Sequence, residues 1–389
     1  MSRARAYLDY NATAPVRPAV AEAVARALML PGNPSSIHQE GRAARAALEA
    51  ARGQVAALVG ARPTQVVFTS GGTEAANAVL SGALGRRGQP KPTRLLHSAT
   101  EHPCVAAGHR FPANAVEELP VTPDGVIDIR ALERRLGALA DESVLISVHA
   151  ANNETGAIQP LSDVVALARA QGRALVHTDA VQAVGKVALD MAALGIDALT
   201  LSGHKFAAPK GVGAMILADD VALDAAFLRG GGQERRQRCG TECLPAIVGM
   251  GEAARIASEA LVAEGVRLAG LRDRIEAGMR VRAPEAVVFA AGAPRLPNTL
   301  SFAVPGLDAP AALIAFDLAG VAVSSGSACS SGKVARSATL SAMGVAPELA
   351  GGALRVSLGW NTVDEDASCF LDAFERVLQP LYKRRGYAA

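Results

Sequence analysis

The chain has 389 residues, 50% hydrophobic and 20% charged, a balance that fits a folded globular protein and excludes a disordered one. Lys and Arg total 39 against 37 Asp and Glu, a net charge of +2, and aromatics are only 4%. This near-balanced charge and low aromatic content argue against a dedicated nucleic-acid binder, which usually needs a strongly basic face and stacking aromatics.

At about 150 residues per domain the length predicts two or three domains. Cysteines occur at 104, 239, 243, 329 and 369, an odd number that makes no disulfide scaffold and predicts a reducing, cytoplasmic setting. The first residues, MSRARAYLDYNATAP, lack the apolar core of a signal peptide. No stretch approaches the roughly 18 apolar residues of a spanning helix. The reading is a soluble enzyme, with neither membrane nor nucleic acid as partner.

In chain order, short apolar runs alternate with amphipathic ones. Residues 65–70 (QVVFTS), 94–98 (RLLHS), 144–149 (VLISVH), 174–178 (ALVHT), 198–202 (ALTLS) and 213–217 (GAMIL) read as buried strands. Residues 73–84 and 161–171 read as helices between them. This alternation predicts a mainly parallel sheet covered on both faces. A long helical pattern over 242–281 is followed by a Pro/Gly-punctuated stretch over 282–297, which places the domain change near that helix. The last third reads as a smaller α/β domain, ending in a helix from 364 to about 378.

Five of these runs give way to polar residues. Gly71-Gly72-Thr73-Glu74, Thr100-Glu101-His102-Pro103, Asn152-Asn153-Glu154, Asp179-Ala180-Val181-Gln182 and Gly203-His204-Lys205 stand at the five strand ends. Open parallel sheets bind ligands outside the carboxyl ends of their strands, so five such ends together predict a site. Gly72 and Thr73 turn from a strand into a helix, which suits a phosphate; a plain glycine turn with a capping threonine is the alternative. Asp179 after a buried strand needs a cationic partner, or serves as a helix cap. His102 is either a site residue or a loop histidine bonded to backbone. Lys205 emerges among small and apolar neighbours, where burial favours the neutral amine that forms Schiff bases. A lysine, a buried aspartate and a phosphate cradle are the parts of a pyridoxal phosphate site.

The ordered motifs YLDYNAT (7–13), GNPSS (32–36), GGTE (71–74), EHP (101–103), NNETG (152–156), HTDAVQ (177–182), SGHKF (202–206), GGGQE (230–234), GTE (240–242), SGSAC (325–329) and LRVSLG (354–359) resemble those of the NifS/IscS-type cysteine desulfurases. These are pyridoxal phosphate enzymes of aminotransferase class V. The resemblance runs almost end to end. It implies the aspartate aminotransferase-like fold: a large domain over 14–258 with a mainly parallel sheet, and a small α/β domain from 1–13 and 259–389. The small domain would carry a catalytic loop at about 324–336.

It further implies that Lys205 holds the cofactor and moves protons, that Asp179 pairs with the ring nitrogen, and that His102 stacks on the ring. Gln182 and Asn153 would bond near the phenolic oxygen. Gly72, Thr73, Ser202 and His204 would hold the phosphate. Thr241 would reach the phosphate of a second subunit, making a homodimer. Arg355, with Asn33 and Asn153, would hold the carboxylate of L-cysteine. Cys329, in a Ser/Gly-rich stretch with little to pack against, would take the sulfur as a persulfide from a ketimine of the cofactor, releasing alanine. An iron–sulfur scaffold or sulfur-carrier protein would dock near it. The SGSAC form fits the longer-loop subgroup, while the continuation over 330–336 departs from its usual pattern and leaves the acceptor open.

Cys104 and Cys369 read as core residues. Cys239 and Cys243 read as substitutions within a motif, not as metal ligands, because no second pair accompanies them. A selenocysteine lyase or another class V enzyme is the alternative. An NAD-dependent oxidoreductase would need a GxGxxG turn after the first strand, which is absent.

Overall fold

The computed structural model describes residues 5–325 and 337–384. All six predicted strands form, and a seventh joins them. They are β1 Val66–Thr69, β2 Arg94–Ser98, β3 Val116–Leu119, β4 Val144–Ser147, β5 Leu175–Asp179, β6 Ala198–Ser202 and β7 Gly213–Leu217. Their order is β1-β7-β6-β5-β4-β2-β3. Only β7 runs against its neighbours; the rest pair in parallel.

Every residue of β1, β4, β5, β6 and β7 is buried. Successive side chains serve opposite faces. Leu96, Ile146 and Val176 enter one apolar cluster, whereas Leu95, Leu145 and Leu175 enter another. Covered on both sides, these strands show unbroken apolar runs instead of alternation. The exception is β3 (VEEL). It lies at the sheet edge beside β2, where Glu117 and Glu118 are tolerated and mask the strand.

The helix after β1 spans Gly72–Val79, shorter than the predicted 73–84. Gly82 comes next in the turn with a φ of 81°, a left-handed value that glycine adopts freely. Leu84–Arg86 then forms a strand against Val221–Leu223.

The long helix is Leu244–Arg282, 39 residues. Its first half buries Leu244, Ile247, Met250 and Ala254 against the large sheet. Its second half buries Leu268, Leu271, Ile275 and Met279 in a separate cluster. Between them Val262 and Val266 are 79% and 73% exposed, so one helix serves two cores.

The second core surrounds a four-stranded antiparallel sheet, ordered Val287–Val288, Thr299–Ala303, Leu354–Ser357 and Ser324–Ser325. Phe302, Phe316, Phe370 and Phe374 fill it. The chain's start belongs here too: Ala6–Tyr7 pairs in parallel with Val321–Ala322. The last helix, Asp364–Arg384, continues through Pro380 beyond the predicted end, because Leu381 buries in this core. Among the described residues no helix is long and apolar enough to cross a membrane.

One polar network crosses the large sheet. His177 on β5 places Nδ1 2.8 Å from Ser147 Oγ and Nε2 3.1 Å from Thr200 Oγ1. Burial holds its imidazole at about 4, against an ordinary 6.5, with the Asp179 charge opposing. The unfolded chain therefore binds the extra proton first. Stability is intact above pH 6.5 and falls as the pH drops towards 4, by up to about 3 kcal/mol from this group. Denaturant unfolding of wild type and His177→Asn at pH 7 and pH 4.5 checks this. The variant should lose less between the two pH values, other titrating groups cancelling in the comparison.

Candidate active site

The carboxyl ends of β1, β4, β5 and β6 open onto one cavity of about 260 Å³. From β1 come Gly72 and Thr73 at the start of helix Gly72–Val79. A side chain on Gly72 would put its Cβ 2.9 Å from Val181 Cγ2 and 3.2 Å from Ser202 Cβ, so the backbone approaches these strands as only glycine allows. The turn after β2 adds His102. Its Nδ1 accepts the Cys104 N–H at 3.1 Å, capping a short helix, which leaves Nε2 to carry the proton of the neutral ring.

The extension of β4 contributes His149, Ala151 and Asn153; β5 ends in Asp179 and continues into Val181 and Gln182; β6 ends in Ser202 and leads to His204 and Lys205. All predicted cofactor residues except Thr241 therefore converge.

Asp179 is 6% exposed. Its carboxylate accepts the Val181 N–H at 2.9 Å and lies 3.7 Å from Cys104 Sγ. Among the described residues it forms no ion pair, so a cationic partner from outside the chain would offset its desolvation. Burial, then the charges of Asp179 and Glu101, push the Cys104 thiol far up, which leaves it inert.

Lys205 Nζ donates to the backbone carbonyls of Asn11 at 2.6 Å and Ala12 at 2.9 Å. His204 sits 3.2 Å from Thr13 Oγ1. Burial holds it at about 4, with Lys205, Lys210 and Lys186 adding to the effect; it is a neutral donor at pH 7. A reactive amine, a helix N-terminus and a buried carboxylate without a counter-cation thus face one space. They can bind an anionic carbonyl compound, attach it covalently and polarise it.

Residues 6–370 match the family described as aminotransferase class-V. The chain is 39% identical to a cysteine desulfurase of Sinorhizobium fredii, across 97% of this chain and 98% of that one. It is 42% identical to a cysteine desulfurase of Cereibacter sphaeroides, across 97% and 95%. Its fold superposes on a NifS-like protein from Rickettsia africae with a TM-score of 0.86, at 31% identity, covering 96% and 99% of the two chains. The chain belongs to the class V aminotransferase family.

In this class V chain other predicted site residues are not among those lining the cavity. Thr241 is exposed, on a cleft with Arg238 and Glu242. Asn33 is exposed, its Oδ1 accepting the Ser35 N–H at 2.9 Å. Arg355 is 1% exposed and donates to Asp9 Oδ1 at 2.8 Å and the Asn153 carbonyl at 3.0 Å. Cys329 and most of the predicted loop lie outside the described residues.

Sequence reasoning missed several neighbours of the cavity. Asn11 accepts from Lys205 and bonds Thr299 and Ser357 of the small sheet; its position inside the YLDYNAT motif was the available signal. His149 places its ring beside Glu101 and leaves Nε2 without a partner while lining the cavity. Nothing in the local sequence marks it. Among the described residues no cluster of three or more His, Cys, Asp or Glu side chains could hold a metal.

Proposed function

We propose that this class V chain is a cysteine desulfurase that binds pyridoxal phosphate at Lys205 and passes the sulfur of L-cysteine to Cys329. The observation that carries the reading is the convergence of Lys205 and an ion-pair-free, buried Asp179 on one cavity. The cysteine desulfurases among its relatives support the same activity. Other features fit the cofactor: the N-terminus of helix Gly72–Val79 for a phosphate, and the orphaned, buried Nε2 of His149 facing the same space.

Bound there, pyridoxal phosphate would supply an electron sink to the substrate carbon. The rest falls to the chain. Asp179 holds a protonated ring nitrogen. His102 covers the ring. Asn153 and Gln182 meet the phenolic oxygen, and Gly72, Thr73, Ser202 and His204 take the phosphate. Lys205 holds the cofactor and carries a proton to and from the substrate Cα.

Arg355, one hydrogen bond from the cavity-lining Asn153, forks onto the substrate carboxylate, and exposed Asn33 is the second residue assigned to that group. Asp9 now occupies that guanidinium, so substrate binding exchanges one carboxylate for another. The Cys329 thiolate takes the sulfur as a persulfide. The carbon it leaves gains a proton, and alanine departs. An iron–sulfur scaffold or a sulfur carrier then receives the sulfur near Cys329. Exposed Thr241 serves the phosphate of a second subunit, which makes the working unit a homodimer. The separate cores support a division into a large domain, 14–258, and a small one, 1–13 with 259–389. Cys104, Cys239, Cys243 and Cys369 are all free, as a reducing cytoplasm would keep them.

The test is an absorption spectrum with pyridoxal phosphate before and after L-cysteine, with alanine and sulfide measured for wild type and Cys329→Ala. A visible band in both proteins, with alanine formed only by wild type, is the expected result. Equal turnover by Cys329→Ala would move the assignment to another class V enzyme.

A further inference from the structure

Behind the cavity lies a set of hydrogen bonds that the proposed chemistry leaves unused. Lys186 Nζ donates to Gln182 Oε1 at 2.6 Å and to Asn11 Oδ1 at 3.0 Å. Gln182 Nε2 donates to the Asn11 backbone carbonyl at 2.9 Å. That carbonyl also accepts from Lys205 Nζ. Asn298 Nδ2 joins Lys186 on Asn11 Oδ1 at 3.1 Å, and Asn11 Nδ2 donates to Thr299 Oγ1 at 2.9 Å.

A carboxamide has an accepting end and a donating end of nearly equal shape, so its neighbours alone decide which way it faces. Lys186 presents N–H donors to Gln182, and the Asn11 carbonyl presents an acceptor. Turning the Gln182 amide over would set oxygen against oxygen. The observed orientation spends one N–H of Nε2 on Asn11. The second belongs to a residue that lines the cavity.

Lys186 is an unusual choice for this place. It borders, with Lys205, a small cavity of about 40 Å³, which accounts for its residual surface. Its amine is nonetheless held well below the ordinary lysine range, by burial first and then by the charges of Lys205 and Arg355. Among the described residues no carboxylate pairs with it. A lysine retained without a counter-ion, on two amide oxygens, is there for what it orients.

We propose that Lys186 is a positioning residue that fixes an N–H of Gln182 toward the cavity and, through Asn11, sets where the Lys205 amine rests. The inference depends on the reading of Lys205 as the cofactor lysine. It assigns to Lys186 the geometry around the cofactor's phenolic oxygen, not a contact with substrate. A donor at that oxygen stabilises its negative charge and eases loss of the proton shared with the lysine linkage. Removing the donor raises the pH at which that proton leaves.

The experiment is a double-mutant cycle on protein loaded with pyridoxal phosphate: wild type, Lys186→Met, Gln182→Leu and both together. The readings are the pH midpoint of the cofactor's visible band and the dissociation constant for pyridoxal phosphate. Lys186→Met should raise the midpoint by about one pH unit and weaken cofactor binding about tenfold, and most of that effect should vanish in the Gln182→Leu background. Equal shifts in both backgrounds would show a charge or packing effect not routed through Gln182, and would overturn the proposal. So would an unmoved midpoint. If Lys186→Met does not fold, Lys186→Gln, read in the same cycle, decides in its place. A wild type without any visible band overturns the cofactor reading as well; a normal wild-type band with no Lys186 effect overturns this inference alone.

Discussion

Lys205→Ala is expected to lower alanine formation from L-cysteine by at least about 10⁴-fold, because one change removes both the proposed covalent anchor and the proposed proton carrier. Lys205 is the one lysine that lines the main cavity among the described residues. Its position is well supported without its amine. It lies in the turn Gly203–Phe206, whose Gly203 and Phe206 are buried, and the Ala208 N–H bonds back to the Gly203 carbonyl at 3.1 Å. The variant should therefore fold and still bind pyridoxal phosphate, but release it on dialysis.

Lys205→Arg should not restore turnover, since a guanidinium stays protonated and forms no Schiff base. Borohydride reduction of the loaded wild type, followed by peptide mass spectrometry, should find the cofactor on Lys205. The nearby amine of Lys186, held well below the ordinary lysine range by burial, makes this a real discrimination. Label on Lys186, or turnover retained by Lys205→Ala, would remove the central assignment.

Much of this site was legible because a parallel sheet buried on both faces writes itself plainly. Its strands are unbroken apolar runs, and each polar break after one marks a carboxyl end. His102, Asp179 and Lys205 stand immediately after β2, at the end of β5 and just past β6. Local reading could therefore place them together. What it could not place depends on contacts between distant segments. Asn11 reaches Lys205 because the first residues pair with Val321–Ala322 and Ser357, more than 300 residues away. Lys186 comes after β5 as an ordinary-looking lysine, and its enclosure comes from Asn11 and Gln182. β3 is masked by Glu117 and Glu118, which an edge permits. His149 was read as the end of a strand; its role at the cavity depends on Glu101, supplied by the turn after β2.

The largest stability loss should come from Glu234→Ala, at about 3–5 kcal/mol, the range for stripping one partner from a buried ion pair. Glu234, Arg235 and Arg236 all take left-handed backbone angles, with φ of 45°, 55° and 63°. Such angles are unfavourable for residues with a Cβ and persist only where the surroundings impose them. Here the imposition is visible. The Glu234 carboxylate accepts two bonds from Arg52, at 2.7 and 2.6 Å, and the Phe68 N–H at 2.8 Å. Arg52 lies over the Phe68 ring at 4.9 Å and donates to the Val66 carbonyl, which Arg235 also reaches. Both side chains of the pair are at most 2% exposed.

Removing the carboxylate leaves the buried guanidinium with only the half-exposed Glu49 and the Val66 carbonyl as polar partners and frees a strained turn to relax. Replacing both partners, as in Arg52→Met with Glu234→Leu, should recover part of the loss, the share that belongs to the stranded charge, while the Phe68 N–H stays unpaired. Denaturant unfolding of the single and double variants measures this. A Glu234→Ala loss below about 1 kcal/mol would put the pair in the class of weak surface bridges and refute the argument. The consequence reaches the site, because Phe68 lies in β1, the strand that delivers Gly72 and Thr73, and the turn itself leads to Thr241. The residues proposed to hold the phosphate at both places hang from one ion pair, so Glu234→Ala should weaken pyridoxal phosphate binding even under conditions where the chain stays folded.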